Sequence, residues 1–314
     1  MMHPSILIVE DLWKSYGKIK AVQGLTFEIS KGEFFGLLGP NGAGKTTTIE
    51  LLTGLIDPDR GHVTIDGLPL FMKPMEVKAK LGLVPQNFAL YPTLSARDNL
   101  LFFGRIYGLK GRHLEERIAS VLDIVGLSDR AQQTVATFSN GMKRRLNIAT
   151  GLLHEPDILI LDEPTVGVDT QSRMAIFESL RSLNQLGVTL LYTTHYIEEA
   201  QRLCDRVAIM DQGKIIALDR PAQLIRDFGK GMIRMEFYDM MDDTLLEQMG
   251  CIGSIRFVDE QKRKIYIETD QTDRASRELL EVMKAREKLL KFFHISEPNL
   301  ETVFIHLTGK NLRD

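Results

Sequence analysis

Gly39-Pro40-Asn41-Gly42-Ala43-Gly44-Lys45-Thr46-Thr47 is the stretch that decides the fold. It satisfies G-x-x-x-x-G-K-[ST] and lies between an apolar run at residues 33–38 and a stretch of helical composition at 46–55. Strand, glycine-rich loop and helix in that order make a phosphate-binding loop rather than an ordinary glycine turn. The glycines let backbone N–H groups turn inward onto phosphate oxygens, and the helix N-terminus adds positive potential. Lys45 is placed to reach the β- and γ-phosphates of a nucleotide, and the Thr46 hydroxyl to reach a magnesium ion beside them.

Downstream, Ile158-Leu159-Ile160-Leu161 is an apolar strand that ends on Asp162 and Glu163. Ligands of parallel sheets bind at the carboxyl ends of the strands, so this pair belongs beside the loop. Asp162 suits a magnesium shell, and Glu163 can polarise an attacking water.

The rest of the chain fits that frame. Residues 6–12, 25–29, 61–66 and 81–85 read as short strands, and 95–107 and 114–125 as helices of an insert that ends near Phe138. Helices at 142–153 and 171–186 then alternate with strands at 158–161 and 188–193, which predicts an α/β core with a largely parallel sheet. A helix opens at residue 197, and 207–210 and 214–218 form a hairpin. After Phe228 the pattern restarts as strand, helix, hairpin, helix, strand, with a final helix at 299–308. This β-α-β-β-α-β order matches a small ferredoxin-like unit.

Bulk properties narrow the class. A chain of 314 residues suits one large domain and a smaller one. Lys+Arg 39 against Asp+Glu 42 gives a net charge of −3, with no basic footprint, so nucleic acid is not an expected partner. Cys204 and Cys251 have neither metal-like spacing nor a disulfide framework, so a reduced, cytosolic setting is expected. No basic and then apolar leader is visible at the N-terminus. No apolar run approaches the ~20 residues of a membrane helix, so work at a membrane would need a partner.

Between the loop and the acidic pair lies Phe138-Ser139-Asn140-Gly141-Met142-Lys143-Arg144. Ser139 reads as a helix N-cap, and Gly141 leaves room for an anion at the helix start. A phosphate loop, this segment and an Asp-Glu strand in that order resemble the ATP-binding cassette (ABC) ATPases, over about residues 4–225. Further positions match. Tyr16, in Lys14-Ser15-Tyr16-Gly17, matches the family's adenine-stacking aromatic. Gln86 matches the glutamine of the metal and water shell that relays movement to a membrane partner. Residues 164–169, ending on Asp169, match the loop at the dimer interface. His195 matches the histidine that contacts the γ-phosphate. Where the family reads Leu-Ser-Gly-Gly-Gln, this chain has Phe138, Asn140 and Met142 in three places. Asn140 is expected to take a left-handed backbone position better than most non-glycine residues. Val168 replaces a usual leucine.

The resemblance implies a P-loop NTPase of ABC type. Residues 1–225 would form the nucleotide-binding domain, with an antiparallel β subdomain and a helical subdomain at about 87–140. Residues 228–314 would form a small α+β accessory domain. It implies ATP hydrolysis with Mg2+. ATP is held by residues 39–47 and Tyr16, the metal by Thr46, Gln86 and Asp162, and catalysis falls to Lys45, Gln86, Glu163 and His195. Ser139 and Gly141 would complete the site of a second nucleotide-binding subunit, with a homodimer expected, on a separate polytopic permease at the cytoplasmic face of the membrane. Glu297-Pro298-Asn299-Leu300-Glu301-Thr302-Val303-Phe304, then Leu307-Thr308-Gly309, resembles the tail of drug- and antibiotic-resistance exporters. As plain structure the same stretch is a helix capped by Asn299, with Leu300, Val303, Phe304 and Leu307 as its apolar stripe. Rival readings are an importer subunit, a ribosome- or DNA-associated ABC ATPase, and a regulatory module that binds ATP without turnover. A single phosphate loop without a heptad insert disfavours the second. Intact Glu163 and His195 disfavour the third.

Overall fold

The computed structural model describes residues 4–308, and Gly309 of the quoted tail lies outside them. The chain forms two compact units. The first runs to His195 and includes Arg202–Ile215, and the second joins Tyr196–Gln201 to the chain from Ile216 onward.

In the first unit the chain passes through β1 (Ser5–Tyr16), β2 (Ile19–Ser30), β3 (Phe34–Leu38), α1 (Lys45–Leu52), β4 (Arg60–Ile65), β5 (Leu68–Pro69), α2 (Pro74–Lys78) and β6 (Leu81–Val84). Helices α3 (Ala96–Ile106), α4 (Gly111–Ile124) and α5 (Asn140–Leu152) follow. Then come β7 (Ile158–Asp162), α6 (Thr170–Gln185), β8 (Thr189–Thr194) and β9 (Arg206–Asp211). Between β8 and β9, α7 (Ile197–Leu203) belongs mostly to the second unit, and after β9, β10 (Lys214–Asp219) begins in the first unit and passes into the second. One sheet has the order β2-β1-β4-β5 and is antiparallel; the other has the order β10-β9-β3-β8-β7-β6, parallel from β9 through β6. Strands β3, β7 and β8 are buried along their whole length. Buried on both faces, they need no polar alternation, which is why they read as unbroken apolar runs.

Two features were not readable as periodicity. Strand β1 continues past Leu12 to Tyr16, because register shifts and the left-handed backbone of Asp11, φ 46°, let it bend and keep pairing. Helix α2 has five residues, too few to show a period.

The second unit holds α8 (Pro221–Phe228), β11 (Gly231–Phe237), α9 (Asp243–Ile252), β12 (Ser254–Val258), β13 (Lys264–Thr269), α10 (Thr272–Ala285), β14 (Leu290–Ser296) and α11 (Leu300–Thr308). Its sheet has the order β12-β13-β11-β14, antiparallel throughout. Counted within the unit, that is second, third, first, fourth, the ferredoxin-like arrangement. Ile233, Met235 and Phe237 pack with Leu245 and Met249 of α9 and Leu279 and Met283 of α10. Helix α11 is capped by Asn299, whose Oδ1 accepts from Thr302 N at 2.9 Å. Leu300, Val303, Phe304 and Ile305 are buried, while Leu307 of the expected stripe is half-buried.

Candidate functional site

The loop between β3 and α1 turns on two left-handed glycines, Gly42 at φ 80° and Gly44 at φ 102°. Gly44 also has no room for a side chain, since an added Cβ would run into the Ala21 carbonyl oxygen. Lys45, the first residue of α1, is buried. Its Nζ donates to the carbonyls of Gly39 at 2.8 Å and Pro40 at 3.0 Å, and lies 3.1 Å from Glu163 Oε1.

Strand β8 separates β3 from β7, so Asp162 reaches the loop across one strand. Thr46 Oγ1 donates to Asp162 Oδ2 at 3.2 Å. From β8, Thr193 Oγ1 donates to Asp162 Oδ1 at 2.7 Å and accepts from the Glu163 backbone N–H at 3.0 Å. Burial pushes the Asp162 carboxyl above its usual range, although hydrogen bonds from Thr193 and Thr46 oppose the shift. Glu163 sits in left-handed backbone, φ 44°. Strain of this kind persists where the surroundings over-determine it. Here the carboxylate is held on three sides: Lys45 on Oε1, and His195 Nδ1 at 3.1 Å and Gln86 Nε2 at 3.4 Å on Oε2.

These contacts gather Lys45, Thr46, Gln86, Asp162, Glu163 and His195 in one place. Asn41, Gly42, Gly44, Lys45, Thr46 and Thr47 line an open cleft of about 500 Å³ that Gln86 and Glu163 also face. The donors beside Asp162 are a hydroxyl, a carboxamide and carboxylates. Such hard oxygen ligands suit Mg2+, which commonly takes one or two carboxylates and completes its shell with water and phosphate. Among the described residues no cluster of three or more His, Cys, Asp or Glu makes a closed metal cage.

The remaining sequence candidates lie elsewhere. Tyr16 is exposed at the end of β1 and is not among the residues lining the cleft. Ser139 is exposed and caps α5, accepting from Met142 N at 3.2 Å. Asn140 departs from the left-handed expectation: it has no positive φ and is the first residue of α5. The cap at Ser139 starts the helix one residue earlier than a left-handed Asn140 would allow. At Gly141 an added Cβ would overlap the Ser172 side chain of α6. Asp169 caps α6, accepting from Ser172 N at 2.9 Å. Sequence reasoning gave no role to Thr193, nor to the β2 residues Ile19, Lys20 and Gln23 that line the cleft. Their only signal is position in the sheet.

A phosphate loop, an acidic pair at a parallel strand end and an antiparallel arm define a P-loop ATPase. The family model described as "ABC transporter" matches residues 22–166. The linearmycin resistance ATP-binding protein LnrL of Bacillus subtilis (strain 168) is 43% identical over 311 residues, covering 98% of this chain and 100% of that protein. The Nod factor export ATP-binding protein I of Burkholderia lata is 38% identical over 302 residues, 96% of each chain. A solved ATP-binding subunit of an ABC transporter shares 32% identity with a TM-score of 0.65, covering 71% of this chain and 93% of that one. A dimeric ATP-binding cassette in a post-hydrolysis state, bound to ADP and Pi, shares 26% identity with a TM-score of 0.62, covering 68% and 98%. This chain belongs to the ABC transporter ATP-binding family. It is an ATP-hydrolysing, ATP-binding subunit of an ABC transporter.

Proposed function

We propose that this subunit works as a homodimer that clamps two ATP molecules and drives a separate polytopic permease from the cytoplasmic face of the membrane, in export. The observation that carries the reading is the convergence of Lys45, Gln86 and His195 on Glu163 at the floor of the phosphate-loop cleft. No helix among the described residues is long and apolar enough to cross a membrane, so the permease is a separate chain on this reading. Export is supported by the linearmycin resistance and Nod factor export relatives, which match this chain almost from end to end. Residues 1–225 serve as the nucleotide-binding domain and 228–314 as an accessory domain.

In this mechanism residues 39–47 cradle the phosphates through backbone N–H groups, and Tyr16 lies against the adenine. Lys45 neutralises charge on the transferring phosphoryl group. Glu163 orients the attacking water and accepts its proton, while His195 and Gln86 hold the carboxylate in place. Thr46, Asp162 and Gln86 would hold a magnesium ion, which supplies charge neutralisation at the β- and γ-phosphates. Ser139 and Gly141 complete the partner subunit's site. Glu163→Gln tests the assignment. The variant should accumulate as an ATP-bound dimer on size-exclusion chromatography, with turnover reduced ~100-fold or more. Wild-type ATPase rates would sink the role of Glu163.

A further inference from the structure

Arg144 is among the largest fully buried side chains of the protein, and no carboxylate among the described residues forms an ion pair with it. Its Nη1 donates to the Pro85 carbonyl at 2.8 Å and its Nη2 to the Gln86 carbonyl at 2.6 Å. The guanidinium lies 4.8 Å from the centre of the Phe88 ring. One turn along the same face of α5, buried Asn147 repeats the grip. Its Nδ2 donates to Pro85 O at 3.3 Å, and its Oδ1 accepts from Ala89 N at 3.3 Å. A planar fork that spends two donors on adjacent carbonyls fixes orientation as well as distance. Burying a cation is costly, and burial does push the Arg144 guanidinium below its usual range; the two carbonyls offset that cost at hydrogen-bond distance, and the charge of Asp162 helps.

We propose that Arg144 is a positioning residue that couples the two halves of the ATP site. Helix α5 is capped by Ser139, which on the reading proposed above serves the partner's nucleotide, and through Arg144 it carries the loop whose Gln86 side chain touches Glu163 of its own site. Arg144 makes these one rigid piece, so a shift of α5 moves Gln86 relative to Glu163. This rests on the roles proposed above for Gln86 and Glu163.

The test is a double-mutant cycle on the full-length protein, with steady-state ATPase kinetics of the wild type, Arg144→Met, Gln86→Ala and the double variant. Arg144→Met should lower kcat about 10- to 100-fold, with the KM for ATP within about twofold, since the loss is one of alignment. In the Gln86→Ala background the same change should cost less than about threefold, because both substitutions remove one coupling. Arg144→Lys keeps the charge but loses the fork, and should recover only part of kcat. Equal losses in both backgrounds would show a merely structural Arg144 and overturn the proposal. Full recovery by Lys would overturn the need for two carbonyl contacts. If Arg144→Met fails to fold, the Lys variant carries the same cycle. Wild-type kcat for Gln86→Ala alone would instead refute the role of Gln86, so the two failures are distinguishable.

Discussion

Asp162 is held at a cost. Its carboxyl is lifted above the usual aspartate range first by burial and further by Glu163 beside it, and its hydrogen bonds do not cancel the effect. The folded protein therefore keeps the Asp162 proton to higher pH than the unfolded chain, where aspartate titrates near ~3.9. Between those two values folding takes up a proton, so stability falls as pH rises, and at neutral pH the ionised carboxylate destabilises the fold. Asp162→Asn should raise the melting temperature of nucleotide-free protein at pH 7 by about 2–4 °C, the response of a domain this size to ~1 kcal/mol. The gain should shrink toward pH 4, and ATPase activity should be lost. A lower melting temperature in scanning calorimetry would refute this balance. Lys45, Thr46, Asp162 and Glu163 were legible in the sequence because each sits within a few residues of a motif. Thr193 was not. Its hydroxyl matters because β8 pairs between β3 and β7, and no local pattern encodes which strand will be the neighbour.

Helix α5 shows what one element contributes beyond its motif. Its first turn is set by the Ser139 cap, and its buried face grips the Pro85–Ala89 backbone through Arg144 and Asn147. Gly141 is required for a further reason, the close approach of α6 at Ser172. Sequence alone suggested a helix with an anion-accommodating glycine; the packing adds that the glycine also accommodates a neighbouring helix. Gly141→Ala should destabilise the protein by about 1–3 kcal/mol through overpacking. Adding Ser172→Gly should restore most of that, less the ~0.5–1 kcal/mol that a helical glycine costs. Chemical denaturation of the single and double variants measures both. A double variant as unstable as Gly141→Ala would mean that the contact with Ser172 is not what excludes a side chain. If ATPase activity stays low after stability recovers, Gly141 has a role at the nucleotide apart from packing.

At the scale of the molecule, the order of elements was legible and their grouping was not. The β-α-β-β-α-β pattern after Phe228 was visible, because each element carries its own period. That Tyr196–Gln201 groups with it was not, since Leu300 N reaches Gln201 Oε1 and α11 packs on α8, pairings far apart in sequence. The proposed homodimer poses the same problem between chains: Ser139 lies outside the cleft that holds Lys45, and on the proposed reading it serves the partner's site. Two inactive variants can test this together. Lys45→Ala damages the loop half of a site, and Ser139→Ala the half lent to the partner. In a mixed dimer with a two-fold axis, one site receives both lesions and the other receives neither. Equal mixing with free exchange gives mixed dimers half the time, each with one intact site of two. The mixture should therefore recover about a quarter of wild-type ATPase activity if the sites act independently. Each variant alone should stay near background. A mixture no more active than its components would mean that each chain hydrolyses ATP with its own Ser139, or with none.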